Sequence, residues 1–244
     1  MQKIFKHLFS ETIWSLGYWG GKDASNIWIE TRRDKKSTWY NLDLSTNSLN
    51  EIAQSENNSL QWFTGLKDGG VFLKLKQGKN PGIESLHCFN LPSGSQRYSI
   101  NLSQWNVLDG EYLKCSAGII DLKSGAICST IPEQQFSWHI ESPMHFEESQ
   151  PEFKAFGNLF EQKYGEKIGK GLDYWEGSNK LIFSYYIYDN AWKNKLRICD
   201  HAFQTLFMDI LAEGEQMGYH TFQCFENTLI YIKEKRELFI YEDL

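Results

Sequence analysis

The chain has 244 residues and a formal net charge of −6, from 25 Lys and Arg against 31 Asp and Glu. There is no basic excess to neutralise phosphates, which argues against a general nucleic-acid binder, and the same sign disfavours long-range attraction to an anionic membrane. The 5 cysteines (Cys88, Cys115, Cys128, Cys199, Cys224) are odd in number and nowhere spaced as C-x-x-C, which argues against a disulfide framework or a Cys-rich zinc site.

Aromatic residues make up 15% of the chain, with Trp 9, Tyr 12 and Phe 16. They favour strands and broad flat contacts. At this length roughly 70–75% of the unfolded surface can be buried, so the core needs no staple. The start, Met1 to Leu8, lacks the continuous apolar stretch of a signal peptide, and no run approaches about 18 apolar residues. Neither a leader nor a membrane-spanning helix is expected, and the setting predicted is reducing and cytoplasmic.

Taken in chain order, period-2 alternation dominates and predicts five clusters of strands. The first holds 12–19, 27–32, 38–44 and 49–52. The second holds 60–64, 71–76, 85–91 and 98–102. The third holds 105–108, 111–115, 118–122 and 127–131. The fourth holds 172–175, 181–188, 196–199 and 207–211. The last has three strands, 221–225, 229–233 and 238–241. Residues 3–10 are left over at the start and predict a strand that completes this last cluster, removing exposed edges.

Three of the clusters carry one repeated turn. It reads Leu42-Asp43-Leu44-Ser45-Thr46-Asn47, Phe89-Asn90-Leu91-Pro92-Ser93-Gly94 and Ile120-Asp121-Leu122-Lys123-Ser124-Gly125. Asn47, Gly94 and Gly125 take positive φ at little cost, and the Ser or Thr before each can hydrogen-bond nearby backbone. Leu44 to Leu91 spans 47 residues, a full four-stranded blade where blades run about 40–50 residues, and Leu91 to Leu122 spans a shorter 31. The basic cluster Arg32, Arg33, Lys35, Lys36 is interrupted by Asp34 and reads as a solvated hairpin tip.

Residues 132–171 break the pattern and read as an insertion. Within it Phe153, Phe156, Leu159, Phe160 and Tyr164 fall at helical spacing, with Gly165 as a stop, predicting a helix over 152–164. Such a helix either plugs a ring short of blades or lids a ligand site.

Asp121-Leu122-Lys123-Ser124-Gly125 resembles the blade ending of quinoprotein-like and WD-repeat-like β-propellers, where Asp-x-x-Thr-Gly occupies the hairpin between the third and fourth strands. The other two copies are looser. The whole chain also resembles an uncharacterised bacterial family known as a domain of unknown function. These resemblances imply a propeller and no activity. The Trp that follows in quinoprotein blades is absent after all three copies, the chain is too short for eight blades, and it has no adjacent cysteine pair, so no quinone cofactor is implied.

The best constellation for chemistry is Trp138-His139-Ile140-Glu141-Ser142-Pro143-Met144-His145. In a strand His139 and Glu141 share a face, and His145 can fold back past Pro143. Two imidazoles and a carboxylate can hold a divalent ion or act as an acid–base pair. The spacing is not H-E-x-x-H, and the alternative is a polar stretch whose Trp138 and Ile140 face the core. His87 alternates with Phe89 and Leu91 and reads as a hydrogen-bonded core histidine, and Asp200-His201 as a turn pair. There is no G-x-S-x-G and no phosphate loop. The aromatic surplus (Trp14, Tyr18, Trp19, Trp28, Trp39, Trp62, Trp105, Trp175, Tyr185, Tyr186, Tyr188, Trp192) packs between blades or lines a carbohydrate- or peptide-binding face.

The sequence therefore predicts an all-β chain: an irregular β-propeller of about five blades, closed by its N- and C-terminal strands, with one inserted helix, residues 1–244 forming a single domain. The expected function is a monomeric, non-enzymatic scaffold that binds a protein, peptide or small ligand at its central face. No catalytic residue, metal or cofactor is assigned; the candidate ligand-binding residues are Trp138, His139, Glu141 and His145. The alternatives are a hydrolase or lyase, metal-dependent or not, working through His139, Glu141 and His145, and a carbohydrate-binding module using exposed Trp.

Overall fold

The computed structural model describes residues 2–18, 26–66, 68–76, 82–102, 105–107, 112–115, 118–128, 143–215, 221–225 and 227–242. They are all-β with one helix, in five antiparallel sheets. The chain falls into two compact units, one of Glu11–Trp138 and one of Met1–Ser10 with His139–Leu244.

Strand β1 (Gln2–Leu8) opens the chain. A four-stranded meander follows in β2 (Thr12–Tyr18), β3 (Asn26–Arg33), β4 (Lys36–Asp43) and β5 (Ser48–Glu56). A second comprises β6 (Leu60–Leu66), β7 (Gly69–Lys76), β8 (Gly82–Asn90) and β9 (Gln96–Asn101). The third is shorter: β10 (Trp105–Val107), β11 (Tyr112–Cys115), β12 (Gly118–Asp121) and β13 (Ile127–Cys128). Next come β14 (Met144–Phe146), helix α1 (Pro151–Tyr164), β15 (Ile168–Glu176), β16 (Leu181–Asp189), β17 (Ala191–Cys199) and β18 (Thr205–Glu213), whose strands form one five-stranded sheet. The last strands are β19 (Phe222–Phe225), β20 (Thr228–Lys233) and β21 (Glu237–Glu242), and β1 adds to β21 as the fourth strand of their sheet.

In the unit of Glu11–Trp138, the repeated turn is built as its chemistry requires. The Asp43 carboxylate accepts from Ser45 N at 2.9 Å and Ser45 Oγ at 2.6 Å. The Asp121 carboxylate accepts from Lys123 N at 2.8 Å and Ser124 Oγ at 2.8 Å. Asn47, Gly94 and Gly125 close the turns at φ 54°, 66° and 75°. The two glycines also make room for the preceding sheet. A Cβ on Gly94 would lie 2.5 Å from Ile52 O, and one on Gly125 would lie 2.8 Å from the Tyr98 ring. The Gly94 and Gly125 turns thus each seat on the sheet before them. Arg97 ties the arrangement: Nε donates to Asn90 Oδ1 at 2.6 Å, Nη1 to Lys123 O at 3.0 Å and Nη2 to Asp68 O at 3.0 Å.

Between these sheets lie apolar faces supplied by strand alternation. Trp28, Trp39 and Ile52 meet Leu60 and Phe72; Leu66, Val71, Leu86 and Cys88 meet Leu113, Ile120 and Leu122. Each such side chain stabilises the fold by about 1.5–3 kcal/mol relative to exposure. His87 sits on the half-buried side of β8, with Nε2 2.8 Å from Ser85 Oγ and Nδ1 3.0 Å from Gln96 Oε1.

In the other unit the five-stranded sheet is covered on both faces, so β16 reads as a continuous apolar run, Leu-Ile-Phe-Ser-Tyr-Tyr-Ile. Ile182, Leu196, Ile198 and Leu211 pack on Phe222, Cys224, Leu229 and Tyr231 of the final sheet. On the opposite face Leu172, Phe183 and Tyr185 pack on Phe153 and Phe160 of α1. Helix α1 starts with Pro151 after an extended Gln150, and ends at Gly165, whose φ of 66° turns its N–H back to Glu161 O. β1 runs antiparallel to β21 from Gln2 opposite Glu242 to Leu8 opposite Glu237, as the leftover amino-terminal segment predicts. Phe9 N continues the contact to Arg236 O at 3.0 Å. Strand β14 falls within the segment read from sequence as insertion; at 3 residues it is too short to show an alternation.

Candidate functional site

Of the four residues singled out for ligand binding, Trp138, His139 and Glu141 lie outside the described residues. His145 lies on β14 directly across from Asp173 on β15, and its Nδ1 is 2.6 Å from Asp173 Oδ1. Asp173 is 3% exposed. A polar chain runs on from it: Thr221 N donates to Asp173 Oδ2 at 3.4 Å, Thr221 Oγ1 to Ser184 Oγ at 2.6 Å, and Ser184 Oγ to Asn194 Oδ1 at 2.9 Å. Asn194 Nδ2 reaches Tyr186 OH at 3.2 Å. The imidazole is oriented by a buried carboxylate, the arrangement a general base needs. The rest of the chain satisfies buried polar groups within the sheet.

A second polar cluster lies under α1. Arg197 Nε donates to Tyr185 OH at 2.8 Å, its Nη2 to Glu166 Oε2 at 3.1 Å, and its Nη1 to Thr205. Its guanidinium carbon stands 3.8 Å from the centre of the Tyr164 ring. Glu166 also accepts from Lys195 Nζ at 2.8 Å and Tyr185 OH at 2.6 Å. Burial alone would push the Glu166 carboxyl up, but the hydrogen bonds from Lys195 and Tyr185 and the charge of Arg197 outweigh it and hold the group below the ordinary carboxylate range. Burial and the Glu166 carboxylate push the Tyr185 phenol up. The cluster ties Tyr164 and Glu166, at the end of α1, to Tyr185 on β16 and Lys195 and Arg197 on β17.

The space open to a ligand lies next to it. A cleft of about 670 Å³ separates one side of α1, at Phe153, Lys154, Gly157, Asn158 and Glu161, from the start of β15 at Lys167–Gly169 and the β16–β17 hairpin at Tyr188 and Trp192. Tyr188 and Trp192 are cross-strand partners at the tip of that hairpin, with ring centres 5.4 Å apart at 69°. Tyr188 is 64% exposed.

The Trp192 ring is fixed by an irregularity of β15. Pairing with β16 slips between Gly169 and Leu172, where Lys170 and Gly171 have φ of 63° and 121°. Bulges of this kind re-aim side chains. Here Lys170 N bonds the Glu148 carboxylate, while Lys170 Nζ stands 4.5 Å over the Trp192 ring and donates to Glu215 O at 2.9 Å. Gly169 is needed beneath the indole, since a Cβ there would come within 2.9 Å of Trp192 Cη2.

The aromatic surplus divides accordingly. Trp28, Trp39, Trp175, Tyr185 and Tyr186 are buried and pack sheets together. Trp62 stacks on Trp39 and meets Trp28 at a tilt of 34°, and Trp14 lies exposed under Arg32 at 4.3 Å. Tyr18, Trp19 and Trp105 have side chains outside the described residues. Tyr188 and Trp192 are the pair that lines a cleft, and their only signal in the sequence was their place at the end of a long aromatic strand pair.

Among the described residues no group of three or more His, Cys, Asp and Glu is placed to hold a metal ion, and no helix is long and apolar enough to cross a membrane. All five cysteines are free thiols.

No protein-family model matches the chain. No curated protein matches it. Among solved structures it is similar to the uncharacterized protein lmo1340 from Listeria monocytogenes EGD-e, at 11% identity over 84% of this chain and 68% of that one, with a TM-score of 0.32. It is also similar to TolB from Acinetobacter baumannii, at 12% identity and a TM-score of 0.26, covering 94% of this chain and 54% of that one. Likenesses this distant define neither fold nor activity.

Proposed function

We propose that this chain is a non-enzymatic binding protein of β-propeller architecture, and that a small polar ligand occupies the cleft beside α1. Five successive antiparallel sheets, the last completed by the amino-terminal strand, support the propeller. The observation that carries the binding site is Trp192, a large aromatic held in one orientation by Lys170 and Gly169 at the wall of a cleft of ligand size. Five free thiols, three of them buried, suit a reducing compartment, and we place the protein in the cytoplasm as a monomer with no nucleic-acid or membrane partner.

A thermal-shift screen of small polar metabolites tests the reading. Compounds that raise the Tm of the wild type are expected to lose that effect in G157L, whose side chain would fill the cleft. Compounds that stabilise both proteins equally would refute it.

The second reading is a hydrolase or lyase, and the His145–Asp173 pair favours it. Turnover of an ester, amide or sugar substrate that disappears in H145A supports this reading. Stoichiometric zinc, manganese or iron in the purified protein, lost in the same variant, supports its metal-dependent form. Turnover that survives in H145A counts against it.

A further inference from the structure

Resting on the cleft as the binding site, we infer that its ligand class is neutral carbohydrate, with a mono- or disaccharide stacked on Tyr188 beside Trp192. Four observations converge on it. The first is charge. Glu148 and Glu161 on the cleft wall are balanced by Lys154 and Lys167, so a charged ligand loses its hydration shell without a matching field to replace it. The second is the mixture of donors and acceptors. Carboxylates accept, ammonium groups donate and the Asn158 amide does both, which matches hydroxyl groups, themselves both donor and acceptor.

The third is the aromatic wall. The face of an aromatic ring carries negative charge density and the C–H bonds on one side of a pyranose present the positive complement. Tyr188 is the exposed ring of the pair, and Trp192 is held beside it before any ligand arrives, so little ordering entropy is lost on binding.

The fourth is Gly157. Glycine inside a helix costs about 1 kcal/mol relative to alanine. Packing does not require it here, since a Cβ would meet only Ile168 Cγ1, at an ordinary 3.8 Å. What its missing side chain leaves open is the helix wall of the cleft.

Calorimetric titration of the full chain with glucose, galactose, N-acetylglucosamine, maltose and cellobiose tests the inference. At least one sugar is expected to bind. Y188A and G157L are each expected to weaken it tenfold or more. G157A is expected to raise Tm, showing that the helix tolerates a side chain at this position. If no sugar binds but amino acids or dipeptides do, and G157L blocks them, the carbohydrate assignment falls and the cleft stands. Sugar binding indifferent to Y188A and G157L would place the site elsewhere and overturn both. No binding of either class would also overturn both.

Discussion

A charged side chain that is 7% exposed persists at Arg197 because its guanidinium N–H groups are answered by Tyr185, Glu166 and Thr205 and its face by Tyr164. Arg197→Met keeps the aliphatic bulk but removes the guanidinium from Glu166 and Tyr185, leaving the carboxylate with Lys195 and the Tyr185 hydroxyl. The expected loss is about 3–5 kcal/mol by urea denaturation; a loss below about 1 kcal/mol would mean Lys195 alone satisfies the carboxylate. Glu166 contributes to the acid limb. Its carboxyl is held below the ordinary glutamate value of 4.5 in the folded protein, so its contribution is complete above that value and is lost as pH falls through the lower folded one. Glu166→Gln is expected to flatten the fall of stability below pH 4.5, read as Tm against pH; an unchanged acid limb would show that other carboxylates govern it. None of this cluster was legible in the sequence. Glu166, Lys195 and Arg197 look like scattered surface charges until β17 is paired and the end of α1 folds over it. Asp173 was hidden for the same reason, because its partner His145 is 28 residues away.

The elements were far more legible than the side-chain clusters. All five groups of strands follow the sequence's alternation and turns, since a buried face must recur every second residue and a turn needs residues that accept positive φ. Helix α1 showed through its three- and four-residue spacing of aromatics and its Gly165 stop, and it begins one residue earlier than that reading, at Pro151. The strand that was missed, β14, is three residues long and owes its existence to its neighbour β15. At this scale β1 is the element to remove. Its pairing covers the edge of β21, and Phe9, at 3% exposure, anchors its end. Deleting residues 1–10 should cost on the order of 4 kcal/mol. At about 2–4 °C per kcal/mol for a chain of this size, Tm should fall by about 10 °C. An unchanged Tm would show that the last sheet is stable with three strands.

At the scale of the molecule, the ring proposed here has a physical dimension. One closed domain of 244 residues has a radius of gyration of about 18 Å. Solution X-ray scattering that gives a clearly larger radius would contradict the proposed ring. The candidate cleft was half legible. Tyr188 and Trp192 stood among a dozen aromatics whose sequence neighbourhoods look alike, and only the hairpin tip and the β15 bulge separate them from buried residues such as Tyr185 and Tyr186. The binding account can be read at one nucleus. In protein labelled with 5-fluorotryptophan, with the Trp192 resonance assigned through W192F, titration with the sugar that binds in calorimetry should shift Trp192 and leave the buried Trp28 and Trp39 in place. A Trp192 resonance that stays still at saturating ligand would contradict the account.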